Sequence, residues 1–300
     1  MNRDNVTSDH RRQWGQCHYV YPVISRRARG LSIGVNLNPD KRCNFGCLYC
    51  QVDRYLKRDL RHVDLGQLRD ELEMAMEEAI SGRLWDDPRF GVTPDELRRI
   101  NDIAFSGDGE PTCLPQFDQA VRIAADVKND NNRPDVKIVV ITNATQLESK
   151  QVDRALPILD ANNGELWCKL DAGTESWFQT VNRPGPILMA DILRGIKRVS
   201  RGREVVIQTL WFRVDGVGPS SQEIEAWCDR LDEILAAGGR LRLVQIHTVA
   251  RSPLSPRAAH LPDEQLDAIG RRVRERLPQV NVEVYYGADV PPQSLPPKGP

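Results

Sequence analysis

The residues in this sequence best equipped for chemistry are three cysteines within eight positions, Cys43-Asn-Phe-Gly-Cys47-Leu-Tyr-Cys50. Soft thiolate sulfur suits iron, and clusters of iron and sulfide are commonly held by cysteine. Spacings of three and then two residues let one short loop wrap three corners of a cubane, and Gly46 gives the backbone freedom for the wrap. Three protein thiolates on a [4Fe–4S] cubane leave one iron open to a small molecule. Two other readings compete: a zinc ion taking three Cys and one His, with His62 nearest, or buried structural thiols. No second Cys pair follows Cys50, which counts against a zinc ribbon.

Further polar groups recur at the ends of apolar runs. Ser106-Gly-Asp108-Gly109-Glu110-Pro111-Thr112, taken by itself, reads as an ordinary Gly/Pro turn after a strand. Thr142-Asn143-Ala144-Thr145, taken by itself, carries the Thr and Asn of a helix N-cap signal. Lys169 and Asp171 alternate onto one strand face, where they line a site or pair with each other. Gln208 lies late in its run, and Gln245 and His247 late in theirs, so Asp171, Gln208 and His247 are the candidates for touching substrate. Cys113 reads as a free buried thiol, or as one that forms a thiyl radical or touches a second cluster; Cys17, Cys168 and Cys228 are scattered, so no second cluster set is visible.

The elements that must position these groups alternate along the chain. Strand candidates are Ser32–Leu37, Asp102–Phe105, Val136–Ile141, Glu165–Leu170, Glu204–Leu210 and Leu241–His247, with a further short run at Asn281–Tyr286. Helix candidates are Leu65–Ser81, Phe117–Asn129, Ser149–Leu156, Met189–Ser200, Ser221–Ala236 and Asp263–Arg276. Helical spacing is clearest in Leu65, Leu68, Leu72, Met76 and Ala79. Repeated βα units predict a parallel sheet with right-handed crossovers, here a partial (β/α)6 TIM-like barrel of the α/β class. In such barrels function sits after the C-terminal ends of the strands, which is where the polar groups fall.

The expected organisation is an irregular N-terminal arm over 1–30, a barrel over 31–287 and a Pro-rich tail over 288–300. The arm carries Arg26, Arg27 and Arg29. A net charge of −1 lacks the basic footprint of a dedicated nucleic-acid binder. No apolar run reaches membrane-span length and the first residues are polar, so the expectation is a cytoplasmic protein with no membrane partner. In a reducing compartment an odd count of 7 cysteines, three of them crowded, favours metal or catalysis over disulfides.

The Cys-x3-Cys-x2-Cys loop with Tyr49 before the last cysteine resembles the signature of the radical S-adenosylmethionine (SAM) superfamily, and the other landmarks follow in order. The resemblance covers roughly Val20 to Gly287 and implies a barrel of the radical SAM type. It implies Cys43, Cys47 and Cys50 as ligands of a [4Fe–4S] cluster whose open iron chelates the methionine moiety of SAM. One electron then cleaves the sulfonium and yields a 5′-deoxyadenosyl radical that takes hydrogen from a substrate. Tyr49 is expected against the adenine; Asp108, Gly109, Glu110, Asn143 and Asp171 would hold the cofactor. Asp108 stands where the family's Gly-Gly-Glu-Pro motif has its first Gly. Pro22-Val-Ile-Ser-Arg26-Arg27, Lys169-Leu-Asp-Ala-Gly, Asn182-Arg-Pro and Gln245-Ile-His-Thr look like a stand-alone bacterial branch related to wybutosine-pathway tRNA synthases. An electron donor such as flavodoxin or ferredoxin is implied. The substrate is not named by the sequence. A tRNA base is the alternative that the resemblance raises, and a zinc-stabilised, non-enzymatic binding protein is the other.

Overall fold

The computed structural model describes residues 14–25, 27–54, 62–251 and 253–287. Arg26, most of the polar N-terminus and the Pro-rich 288–300 lie outside the described residues.

Eight strands form one sheet in the order β1 (Val20–Ser25), β2 (Gly30–Val35), β3 (Ile100–Phe105), β4 (Lys137–Thr142), β5 (Gly164–Lys169), β6 (Glu204–Leu210), β8 (Arg240–His247) and β10 (Val282–Tyr285). From β2 to β10 all neighbours are parallel, and β1 runs antiparallel to β2. A small antiparallel pair, β7 (Phe212–Val214) and β9 (Ala258–His260), lies outside this sheet. The helices are α1 (Leu65–Ser81), α2 (Phe117–Asp130), α3 (Lys150–Ala161), α4 (Glu175–Asn182), α5 (Met189–Gly202), α6 (Ser221–Ala236) and α7 (Asp263–Arg276). The architecture is the partial (β/α)6 barrel that the alternation predicts, with β10 added after the sixth unit.

The elements form for local reasons. Strand β2 is buried along its whole length, as strands covered on both faces are. Helix α1 buries Leu68, Leu72, Ala75, Met76 and Ala79 on one stripe, starts at Asp64, whose side chain accepts from the Gln67 N–H, and ends at Gly82 with φ of 83°. Helices α2, α3, α5, α6 and α7 likewise press apolar stripes onto the outer face of the sheet.

One expectation changes. The arm is not irregular throughout, because Val20–Ser25 is a buried sheet strand. Its sequence, Val-Tyr-Pro-Val-Ile-Ser, carries a proline that cannot donate to a ladder, and proline is tolerated on an edge strand such as this one. A buried carboxylate anchors it: Glu71 of α1 accepts from the backbone N–H groups of His18, Tyr19 and Val20 at 2.9, 2.8 and 3.1 Å. Two similar fasteners hold other corners. The Lys128 ammonium, on a side chain 1% exposed, donates to the carbonyls of Pro134, Val136 and Asn162 at 2.5–3.1 Å. Glu223 of α6 accepts from Gly173 N and from the Thr174 hydroxyl at 2.5 and 2.6 Å. Each buried charge satisfies backbone groups at a turn that has no ladder to satisfy them.

Candidate functional site

The loop between β2 and α1 carries the three cysteines over the C-terminal ends of the strands. It is fastened to the turns after β3, β4 and β8 and to the end of α4. Toward β3, Asn36 donates to the Asp108 carboxylate at 2.9 Å and accepts from the Asp108 N–H. Toward β4, Asn44, Asn143 and Thr145 close a ring of hydrogen bonds of 2.6–2.7 Å. Toward α4, the N–H of Gly46 and of Leu48 donate to carbonyls of Asn182 and Val181. Toward the loop after β8, Gln51 donates to the Arg251 carbonyl, and Leu254 N–H donates to Cys50 O. Leu48, 1% exposed, packs beneath the loop on Phe212, Val214 and Val249, so the β7–β9 pair acts as its apolar floor.

Gly109 makes this fit. A Cβ there would lie 2.0 Å from the Arg42 carbonyl oxygen and 2.6 Å from Asn38. The turn after β3 therefore presses directly against the cysteine loop, at a distance only glycine allows.

A cavity of about 800 Å3 opens at this rim and reaches into the barrel. Cys43, Cys47, Cys50, Tyr49, Gly109, Glu110, Asn143, Gln208 and His247 all line it, so most of the groups singled out in sequence meet in one place. Two do not line it. Asp108 turns its carboxylate to Asn36. Asp171, 3% exposed, lies behind the wall, where it accepts from the Tyr49 hydroxyl, from Asn182 at 3.0 Å and from Leu210 N–H at 2.9 Å. Lys169, its partner in the alternation, does line the cavity; its ammonium sits 4.9 Å from the Tyr49 ring centre and 3.8 Å from Asp171.

Electrostatics follow from burial. Burial pushes the Cys47 thiol up to about 12, helped by the Asp171 charge, and burial raises Cys43 as well. Glu110 is 3% exposed and accepts from Thr112, Thr142 and the Asn143 N–H; burial still holds its carboxyl above the usual range. Its Oε2 takes the Asn143 N–H and has room for a further donor from the cavity. Tyr49 is held protonated by burial and by the neighbouring Asp171. Deeper in, Gln208 donates to Gln245 at 2.7 Å, which orients both amides within the barrel.

The donor set fits a cluster. Three soft sulfurs share one cavity wall, and two already accept N–H donors, Cys50 from Arg54 at 3.3 Å and Cys47 from Asn182 at 3.6 Å. Such donors are typical around ligated thiolates. Among the described residues no three Cys, His, Asp or Glu side chains gather around a single-ion position, and His62 is exposed. Cys113 is exposed rather than buried, because the short turn at Pro111–Cys113 turns it outward; Cys168 and Cys228 lie in the apolar core. Sequence reading overlooked Arg54, Asn36 and Asn44. A cation four residues after the last cysteine was the available signal for Arg54.

No protein-family model matches the chain. It is 29% identical over 176 residues to a UPF0026 protein of Methanocaldococcus jannaschii, covering 58% of this chain and 47% of that protein. It is 25% identical over 254 residues to a protein named GTPase Obg of Brachyspira hyodysenteriae, covering 82% of this chain and 32% of that one. The chain thus spans a third to a half of the length of these relatives. It contains no Gly-x4-Gly-Lys-Ser/Thr phosphate loop. Among solved structures, a radical SAM methyltransferase from Sphaerobacter thermophilus superposes with a TM-score of 0.60 at 16% identity, over 89% of this chain and 69% of that one. SuiB of Streptococcus suis bound to S-adenosylmethionine gives 0.57 at 14%, over 87% and 52%. The fold is that of the radical SAM enzymes. Among the described residues no helix is long and apolar enough to cross a membrane.

Proposed function

We propose that this chain is a radical SAM enzyme in which Cys43, Cys47 and Cys50 hold a [4Fe–4S] cluster and the adjoining cavity wall binds S-adenosylmethionine. The observation that carries this reading is the meeting of the three thiols with Gly109, Glu110 and Asn143 on one cavity at the C-terminal rim of a parallel barrel. When bound, the cluster supplies one electron for reductive cleavage of the cofactor to a 5′-deoxyadenosyl radical. The chain's own residues prepare that event. Glu110 and the carbonyls of its turn are acceptors suited to an ammonium. Tyr49, stacked edge-on to Phe212 and hydrogen-bonded to Asp171, presents a fixed aromatic surface to an adenine. Asp171 therefore acts by orienting Tyr49, Asn182 and Lys169. Gln208 and His247, which line the same cavity, are the proposed substrate contacts. The barrel wall excludes water from a reactive intermediate. An electron donor of the flavodoxin or ferredoxin kind and a cytoplasmic setting complete the reading.

Anaerobic reconstitution with iron and sulfide, followed by dithionite and S-adenosylmethionine, tests it. Formation of 5′-deoxyadenosine that vanishes in Cys47→Ala is the expected result. A protein that binds zinc but no iron and sulfide would overturn it.

One observation favours a second reading, action on a tRNA base: Arg27 of the basic arm lies on the cavity wall, its guanidinium 5.7 Å from the Trp167 ring centre. A cation and an aromatic face beside one opening suit a phosphate and a base. Affinity for tRNA that falls steeply with salt is the expected sign, and no binding at low salt removes this reading.

A further inference from the structure

We infer that Arg54 is a positioning residue that sets the reduction potential of the cluster, an inference that rests on the proposed function. The Arg54 guanidinium joins three parts of the rim. Its Nη2 donates to Cys50 Sγ at 3.3 Å, and its Nη1 donates to the carbonyls of Lys41 at 2.5 Å and Asp108 at 3.0 Å. Lys41 opens the cysteine loop, Cys50 closes it, and Asp108 begins the wall formed by Gly109 and Glu110. One planar fork therefore closes the loop on itself and locks it to the turn after β3. A lysine, with its donors on a single point, cannot span all three acceptors.

The charge matters as much as the geometry. A one-electron reduction adds negative charge to the cluster and its thiolates. A permanent cation in contact with a ligand sulfur stabilises the reduced form more than the oxidised form, so it raises the potential. The second sulfur with a side-chain donor, Cys47, receives a neutral amide from Asn182, whose effect on charge is weaker. Arg54 also has acceptors for its other donors, so its side chain is held at the sulfur rather than drifting to solvent.

The test is a potentiometric titration of the reconstituted full chain, read by electron paramagnetic resonance, for the wild type, Arg54→Lys and Arg54→Gln. Iron content and melting temperature are measured alongside. At a fixed solution potential, Arg54→Gln is expected to show about a tenfold lower ratio of reduced to oxidised cluster, which is about 59 mV for a one-electron couple. Arg54→Lys keeps the charge without the fork and should fall between the two, with a shifted resonance spectrum. If Arg54→Gln loses its iron, Arg54→Lys decides: a potential and spectrum like the wild type's overturn the inference. So does an unchanged potential in an iron-loaded Arg54→Gln. A wild-type chain that takes up no iron and sulfide overturns the proposed function and this inference with it, whereas a loaded wild type with unshifted variants overturns the inference alone.

Discussion

The frame of the barrel and its rim are both fastened by polar side chains, but with different ones. The frame relies on single buried charges at backbone corners: Glu71 on β1, Lys128 between α2 and β4, and Glu223 after β5. The rim has its own buried carboxylates, Glu110 and Asp171, but it adds a set of amides, Asn36, Asn44, Asn143 and Asn182, and the Arg54 guanidinium on the Cys50 sulfur. A buried carboxylate or ammonium is committed to one set of partners, because losing them leaves a bare charge in an apolar medium. An amide both donates and accepts, so it can exchange one partner for another at little cost. The difference teaches where the molecule must hold one shape and where it must accept a ligand.

The sharpest way to break that comparison is at the contact between rim and wall. Gly109→Ala places a Cβ against the Arg42 carbonyl, so the cysteine loop and the turn after β3 must separate. Misplacement of this kind should lower 5′-deoxyadenosine formation by about 100-fold, while the melting temperature changes little. A large fall in melting temperature would show that the rim is part of the frame after all. Next comes Lys128→Met, which removes the ammonium and leaves three carbonyls without their donor. Chemical denaturation should report a loss of about 2–3 kcal/mol, with cofactor cleavage intact below the new midpoint. The smallest effect concerns Ala144, which holds φ of 67° at the rim, a region costly for a residue with a Cβ. Ala144→Gly should stabilise the chain by about 1 kcal/mol in the same assay. No gain would mean that the rim carries no strain at this turn.

Much of the frame is legible in the sequence because it is written in local periodicity. The bounds of α1, α6 and α7 follow from apolar spacing alone, and six strands announce themselves as short apolar runs. Strand β1 hides because Pro22 and three nearby arginines look like an arm, and its burial depends on Glu71, about fifty positions away. Helix α4 and the β7–β9 pair are too short to show a period. The cysteines, Tyr49, Gly109, Glu110 and Asn143 are visible as a spaced set, and they do share one cavity. The contacts that organise them join residues such as Asn44 with Asn143 and Gln51 with Arg251, far apart in the chain, and no local pattern encodes those. Alternation put Asp171 on a strand face beside Lys169, but β5 ends at Lys169, and in the turn that follows the Asp171 side chain lies behind Tyr49.

The sheet order leaves β1 and β10 as its two edges, and the cavity is lined by both, through Tyr21, Val23 and Ser25 on one side and Tyr285 on the other. Bare sheet edges are where neighbouring chains add strands and aggregate. In this molecule one edge carries Pro22, which cannot donate to a new ladder, and the other is only four residues long. Neither edge therefore offers a long unbroken row of backbone donors to an added strand, and the two strands that bring residues to the cavity from either side are the same ones whose edges make poor templates.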